Sequence, residues 1–160
     1  MITIGTFFAI IGAVVALGVA GISTAIGVAA AGVAGAGTVA EKKENFKNAL
    51  ILQALPQTQT VYAFIISLLI LMGTGLLSGQ PKDLSNVQGL AYLGAGLVVA
   101  VTGMTAVLQG KVASAGIIAS SKDPTSFASH LVFTGQCETP AIFGFIISLI
   151  LLIVGMGVLA

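Results

Sequence analysis

Residues 126–159, SFASHLVFTGQCETPAIFGFIISLILLIVGMGVL, carry a single charged side chain, Glu138. A hydrocarbon core about 30 Å thick is crossed by about 20 apolar residues in helical form, so this stretch is more than long enough to span. Three further stretches have the same character. No charge occurs in residues 1–40, 48–81 or 84–110, and the apolar segments within and around them run over 4–40, 46–78 and 86–119. The whole composition agrees: 57% of the 160 residues are apolar and 7% charged, with no arginine or tryptophan. A soluble surface calls for about a quarter to a third charged residues. Period-2 alternation, the mark of a membrane barrel, is missing, and open sheet edges do not survive in lipid. The expectation is an all-α membrane protein of four transmembrane helices.

The lysines set the expected orientation. Lys42, Lys43 and Lys47 cluster after the first segment, and Lys111 and Lys122 lie near the end of the third, whereas the middle connection holds only Lys82. Basic loops stay cytoplasmic. The first and third loops are therefore expected there, with both termini on the non-cytoplasmic side. The opening Met-Ile-Thr-Ile-Gly lacks the basic region of a secretory signal, so no cleaved leader is expected. The short connections, Ser78-Gly79-Gln80-Pro81 and Lys122-Asp123-Pro124, make sequential helices antiparallel neighbours.

A repeat runs through the chain. Tyr62-Ala63-Phe64-Ile65-Ile66-Ser67-Leu68 precedes Phe143-Gly144-Phe145-Ile146-Ile147-Ser148-Leu149 by 81 positions, and the same offset pairs Phe46 with Phe127, Leu50 with Leu131 and Thr58 with Thr139. The chain reads as one membrane domain, 1–160, made of two parallel hairpin repeats, 1–81 and 82–160. Under that offset Glu138 pairs with Gln57, so only the second repeat keeps a carboxylate. The first and third segments are rich in glycine and alanine. Such residues let helix backbones approach closely, in a tight monomer or on the crowded inside of a closed ring.

Glu138 has polar company at its own depth. At 1.5 Å per residue, Gln59 lies about 21 Å along its helix from Asn45, Glu138 about 20 Å from Thr125, and Gln109 about 18 Å from Ser121. A layer of Thr58, Gln59, Gln109 and Glu138 is thus expected near mid-membrane. A carboxylate at a helix centre costs about 2.5–3.5 kcal/mol even on the gentler scale, and marks a functional site. Carboxylate, amide and hydroxyl oxygens suit a hard cation, whereas a proton needs little beyond the carboxylate. Pro56 cannot donate to the carbonyl of Leu52 and distorts its turn. Tyr62, one turn beyond Thr58, is placed to donate its hydroxyl to Glu138. The plainer reading is a polar clamp between helices with Glu138 protonated.

The strings Leu55-Pro56-Gln57-Thr58-Gln59-Thr60-Val61-Tyr62, Gln109-Gly110-Lys111-Val112-Ala113 and Glu138-Thr139 resemble the sodium-type proteolipid, the rotor-ring c or K subunit, of V-type ATPases. The resemblance covers essentially the whole chain. It implies a sodium ion held by the Leu55 carbonyl, Thr58, Gln59, Gln109 and Glu138, with Tyr62 in support, and the first and third helices lining a ring of identical copies. It further implies a central-stalk subunit, a stator membrane subunit supplying half-channels and an arginine, surrounding lipid, a prokaryotic cell membrane and no nucleic acid. ATP hydrolysis would occur elsewhere in the complex, leaving no catalytic chemistry on this chain. One departure stands out: Pro140 occupies a position where close sodium-type members carry tyrosine. It removes a donor from the Gln136 carbonyl and is expected to bend the fourth helix at the site.

Several residues are discounted as ligands. Lys111 is expected to snorkel, His130 to lie at the interface, and Cys137 to pack. The glycine-rich first segment has no preceding strand and no Gly-Lys-Ser/Thr, so it is not a phosphate loop. The alternatives are a proton-translocating ring and, from another class, a secondary transporter or channel-forming tetraspan. Many transporters have inverted repeats and broken helices, whereas these repeats are parallel and the helices read as continuous.

Overall fold

A computed structural model describes residues 3–157. Among them there are helices and turns and no strands. The four spans are Ile4–Glu41, Lys43–Gly73, Asn86–Lys122 and Pro124–Gly155. The first is a single helix, α1 (Ile4–Glu41). The second comprises α2 (Phe46–Ala54) and α3 (Thr58–Gly73), the third α4 (Asn86–Gly103) and α5 (Thr105–Lys122), and the fourth α6 (Phe127–Gln136) and α7 (Thr139–Gly155).

Each span runs as one helix, as expected, and in three of the four the hydrogen-bond pattern changes locally within it. Between α2 and α3 the bonding tightens to a 3-10 turn over Leu55–Gln57, with Pro56 inside it. Met104 separates α4 from α5, and Cys137 and Glu138 separate α6 from α7. The backbone stays right-handed and helical at Leu55, Met104 and Cys137, so the change lies in hydrogen-bond pattern. Prolines explain two of the three breaks, since a missing N–H and a ring pressing on the preceding turn disfavour i→i−4 bonding.

The second span also stops sooner than the expected 78. Its helix ends at Gly73, and residues 74–79 form turns around two left-handed glycines, Gly75 (φ 74°) and Gly79 (φ 69°). Thr74 Oγ1 donates to the Leu71 carbonyl (2.8 Å), and Gln80 N–H returns to Gly75 (3.1 Å). The other two connections are minimal, with only Lys42 and Asp123 outside helical turns.

Contacts gather the chain into two compact units, and each span contributes to both. The first unit holds residues up to Gly21, Thr60–Gly103 and residues from Ala141. Its core takes one alanine stripe of α1, Ala9, Ala13, Ala16 and Ala20, with Ala63, Ile66, Ile70, Tyr92, Val99 and Leu152. A spacing of three and four residues puts those alanines on one helical face. Backbones touch here: a Cβ on Gly96 would overlap the backbone of Gly12. Buried serines tie helix to helix, Ser67 Oγ donating to the Ala13 carbonyl (2.8 Å) and Ser148 Oγ to the Ala95 carbonyl (2.8 Å).

The second unit holds Ile22–Gln59 and Met104–Pro140. Its apolar core is Ala31, Ala49, Leu52, Ala113 and Ile117, and α5 lies at its centre, packed on α2, α6 and the Leu55–Gln57 turn. A Cβ on Gly110 would overlap the backbone of Gly27. In both units large apolar side chains remain outside, among them Val14, Phe64 and Phe143 in the first and Val33, Leu108 and Phe133 in the second. So much exposed apolar surface needs an apolar surrounding.

Candidate functional site

The second unit contains a chain of side-chain hydrogen bonds running through its core. Gln59 and Gln109 are fully buried (0% exposed), and Gln59 Nε2 donates to Gln109 Oε1 at 2.6 Å. Gln109 Nε2 donates in turn to the backbone carbonyl of Thr134 (3.1 Å). The Thr58 hydroxyl lies within reach of Gln59 Oε1 (3.3 Å) and of the Leu55 carbonyl (3.2 Å), and its single proton serves one of them at a time.

These bonds set the polarity of both amides. Reversing Gln109 would turn its oxygen on the Thr134 carbonyl and its nitrogen on the Gln59 nitrogen; reversing Gln59 would set its oxygen against Gln109 Oε1. Each reversal leaves buried groups unpaired, at about 1–3 kcal/mol apiece. Two carbonyl-type oxygens, Gln59 Oε1 and Gln109 Oε1, are thereby held in fixed directions. Leu55 brings a backbone oxygen to the same place, because the 3-10 turn directs the Thr58 N–H to it.

Glu138 sits half-buried on the break in the fourth span. Its N–H donates to the Gly135 carbonyl (3.0 Å), and the N–H of Cys137 donates to that of Thr134 (3.3 Å), both i→i−3 bonds. The Cys137 thiol donates to the Phe133 carbonyl (3.6 Å), the acceptor its own N–H would take in a regular helix. Leu55, Thr58, Gln59 and Gln109 are thus joined in one network, ending on a carbonyl four residues before Glu138. Tyr62 is half-buried in α3 and stacks on Phe145, with ring centroids 5.2 Å apart.

The discounted residues are also placed. Lys111 is exposed; His130 is half-buried, edge-on to Phe133 and beside Gly116. No cluster of three His, Cys, Asp or Glu side chains occurs among the described residues. A cation held here would rely on one carboxylate with neutral oxygens, the donor set of a hard monovalent ion rather than of zinc. Reasoning from side chains missed Thr134, whose contribution is a backbone oxygen. The available signal was Pro140, two residues beyond the altered turn.

Long apolar helices, a duplicated hairpin and a buried oxygen-rich network define a multi-pass membrane protein of ion-handling type. The pattern of the ATP synthase C subunit family matches residues 11–70 and again residues 93–151, and the chain belongs to that family. It is 41% identical over 150 residues to the V-type sodium ATPase subunit K of Enterococcus hirae, covering 93% of this chain and 92% of that one. It is 38% identical to the A-type ATP synthase subunit K of Methanocaldococcus jannaschii, over 89% of this chain and 60% of that longer relative. Similarity extends to the 16 kDa proteolipid of the human V-type proton ATPase, at 26% identity over 91% of each chain.

Proposed function

We propose that this chain is the rotor-ring subunit of a V-type ATPase and carries sodium across the membrane on Glu138. The observation that carries the reading is the hydrogen-bonded chain Thr58–Gln59–Gln109, buried in the same compact unit as the carboxylate. A proton on Glu138 would need no such set of oriented oxygens. Sodium would be held by Glu138, the side-chain oxygens of Thr58, Gln59 and Gln109, and the Leu55 carbonyl, replacing its water shell. Support also comes from the relative named as a sodium ATPase subunit.

The mechanism follows from charge. Ionised Glu138 is costly in lipid, and one monovalent cation neutralises it. Identical copies would close into a ring turned by a central stalk, with ATP hydrolysed elsewhere. Each loaded carboxylate would pass lipid between two stator half-channels, and the displacing arginine must come from the stator because this sequence has none. One carboxylate per four helices lowers the ions moved per turn and favours pumping against a steep gradient. The setting is a prokaryotic cell membrane, with the Lys42 and Asp123 connections cytoplasmic and both termini outside. Tyr62 would steady Glu138 through its hydroxyl.

Carbodiimide modification of Glu138 in membranes tests the assignment. Millimolar sodium at neutral pH is expected to slow labelling. Labelling that responds to pH and not to sodium assigns the ring to protons.

A further inference from the structure

The helix break at Glu138 has a consequence for a residue on another helix. In a regular helix the Glu138 N–H bonds the Thr134 carbonyl. Here it bonds Gly135, and Thr134 keeps only the longer 3.3 Å contact from Cys137 besides the 3.1 Å bond from Gln109 Nε2. The vacated Phe133 carbonyl is taken by the Cys137 thiol. All of these groups lie within one compact unit, and Pro140 is its last residue.

Pro140 gives a physical reason for the shift. It has no N–H for the carbonyl of Gln136, and its ring crowds that oxygen. Tightening the preceding turn to i→i−3 bonding relieves the crowding, and the Thr134 carbonyl accepts from Gln109 on α5. Gln109 is the group that benefits. Its nitrogen is anchored on Thr134, which keeps its oxygen on the Gln59 side.

We propose that Pro140 is a positioning residue for the cation site, acting through the Thr134 carbonyl to hold the Gln109 amide in its ligating orientation. The proposal rests on Gln109 being a ligand. Proline at 140 then tunes affinity without touching the ion, as partners behind a metal's direct ligands do.

The test is a double-mutant cycle in the assembled complex, read as the sodium concentration that half-protects Glu138 from carbodiimide. Pro140→Ala restores an N–H and is expected to raise that concentration on the order of tenfold, the usual scale for loss of such support. Turnover at saturating sodium should change little, so the effect falls on apparent KM rather than kcat. Pro140→Gly restores the same donor and should behave alike. Gln109→Ala weakens sodium protection by itself, and adding Pro140→Ala to it should then cost nothing further. Additive losses overturn the positioning role, as does unchanged protection in both proline variants. Unchanged protection in Gln109→Ala instead strikes at the ligand assignment, which separates the two failures.

Discussion

The two repeats can be compared position by position, and they agree in one layer and part in another. Ser67 and Ser148, 81 residues apart, make the same bond, each donating at 2.8 Å to the carbonyl of an alanine on the preceding span of its own repeat. The starts of the second and fourth spans match too: a 3-10 turn at Lys43–Asn45 leads into Phe46, and one at Pro124–Ser126 leads into Phe127. At the polar layer the likeness fails. Gln57 is exposed where Glu138 is half-buried, and the neighbours have exchanged character, Pro56 standing opposite Cys137 and Gln59 opposite Pro140. Duplication has kept the packing devices in duplicate. It has let the polar layer differentiate into one carboxylate-bearing helix and one helix of neutral oxygens.

The largest effect is expected where the repeats differ most. Glu138→Gln gives the fourth span the residue that the second already has at that position. It should abolish carbodiimide labelling and ion transport while leaving the fold intact, because a neutral amide is cheaper in lipid than a carboxylate. Sodium-22 uptake into vesicles reads the loss. The reverse change, Gln57→Glu, should not create a second site, since Gln57 is exposed and makes no part of the Gln59–Gln109 network. It should instead cost stability, on the order of 3 kcal/mol if that position faces hydrocarbon. Transport by Glu138→Gln, or by Gln57→Glu in its background, would break the comparison.

Much of this differentiation is legible from residue types. Charge deserts longer than a bilayer requires give the four spans, the 81-residue offset gives the duplicated hairpin, and counting 1.5 Å per residue puts Gln59 and Gln109 at similar depth. What escapes is carried by backbone. Leu76 and Leu77 extend the apolar run to 78, yet the helix has ended at Gly73 because Gly75 turns left-handed. Hydropathy has no sensitivity to φ. The breaks at Leu55–Gln57 and Cys137–Glu138 also follow from missing donors rather than from polarity. Pro140 pointed to a disturbed Gln136, whereas the carbonyl put to use is that of Thr134.

A middle-sized effect probes the layer where the repeats agree. Ser67→Ala and Ser148→Ala each remove one buried interhelical bond, and such bonds within membranes average about 0.6 kcal/mol. Both variants should lower the resistance of the purified protein to detergent denaturation by similar amounts, about 0.5–1.5 kcal/mol each. A loss confined to one of them would show that the duplicated geometry is not duplicated in energy.

The smallest effect lies at the two short connections, where Lys42 and Asp123 occupy the same repeat position with similarly extended backbones (φ −144° and −132°). Only Asp123 caps the following turn, its Oδ1 accepting from the Thr125 hydroxyl (2.6 Å) and the Thr125 N–H (3.0 Å). The hydroxyl bond first, and the backbone bond second, hold the Asp123 carboxyl below the ordinary aspartate range. A carboxyl depressed by folding stabilises the folded state fully above its unfolded value, about 3.9, and that contribution is lost as pH falls through the lower folded value. Amide exchange at Thr125 should therefore be slower than in Asp123→Asn at neutral pH, with the difference closing below about pH 4. Lys42→Asp should gain less protection at Glu44 than Asp123 confers on Thr125, because Glu44 has no hydroxyl to donate the leading bond, and Glu41 and Glu44 flank the new carboxylate with like charge. Equal gain at both connections would mean that the cap depends on backbone geometry alone, and that the repeats differ here in sequence without differing in consequence.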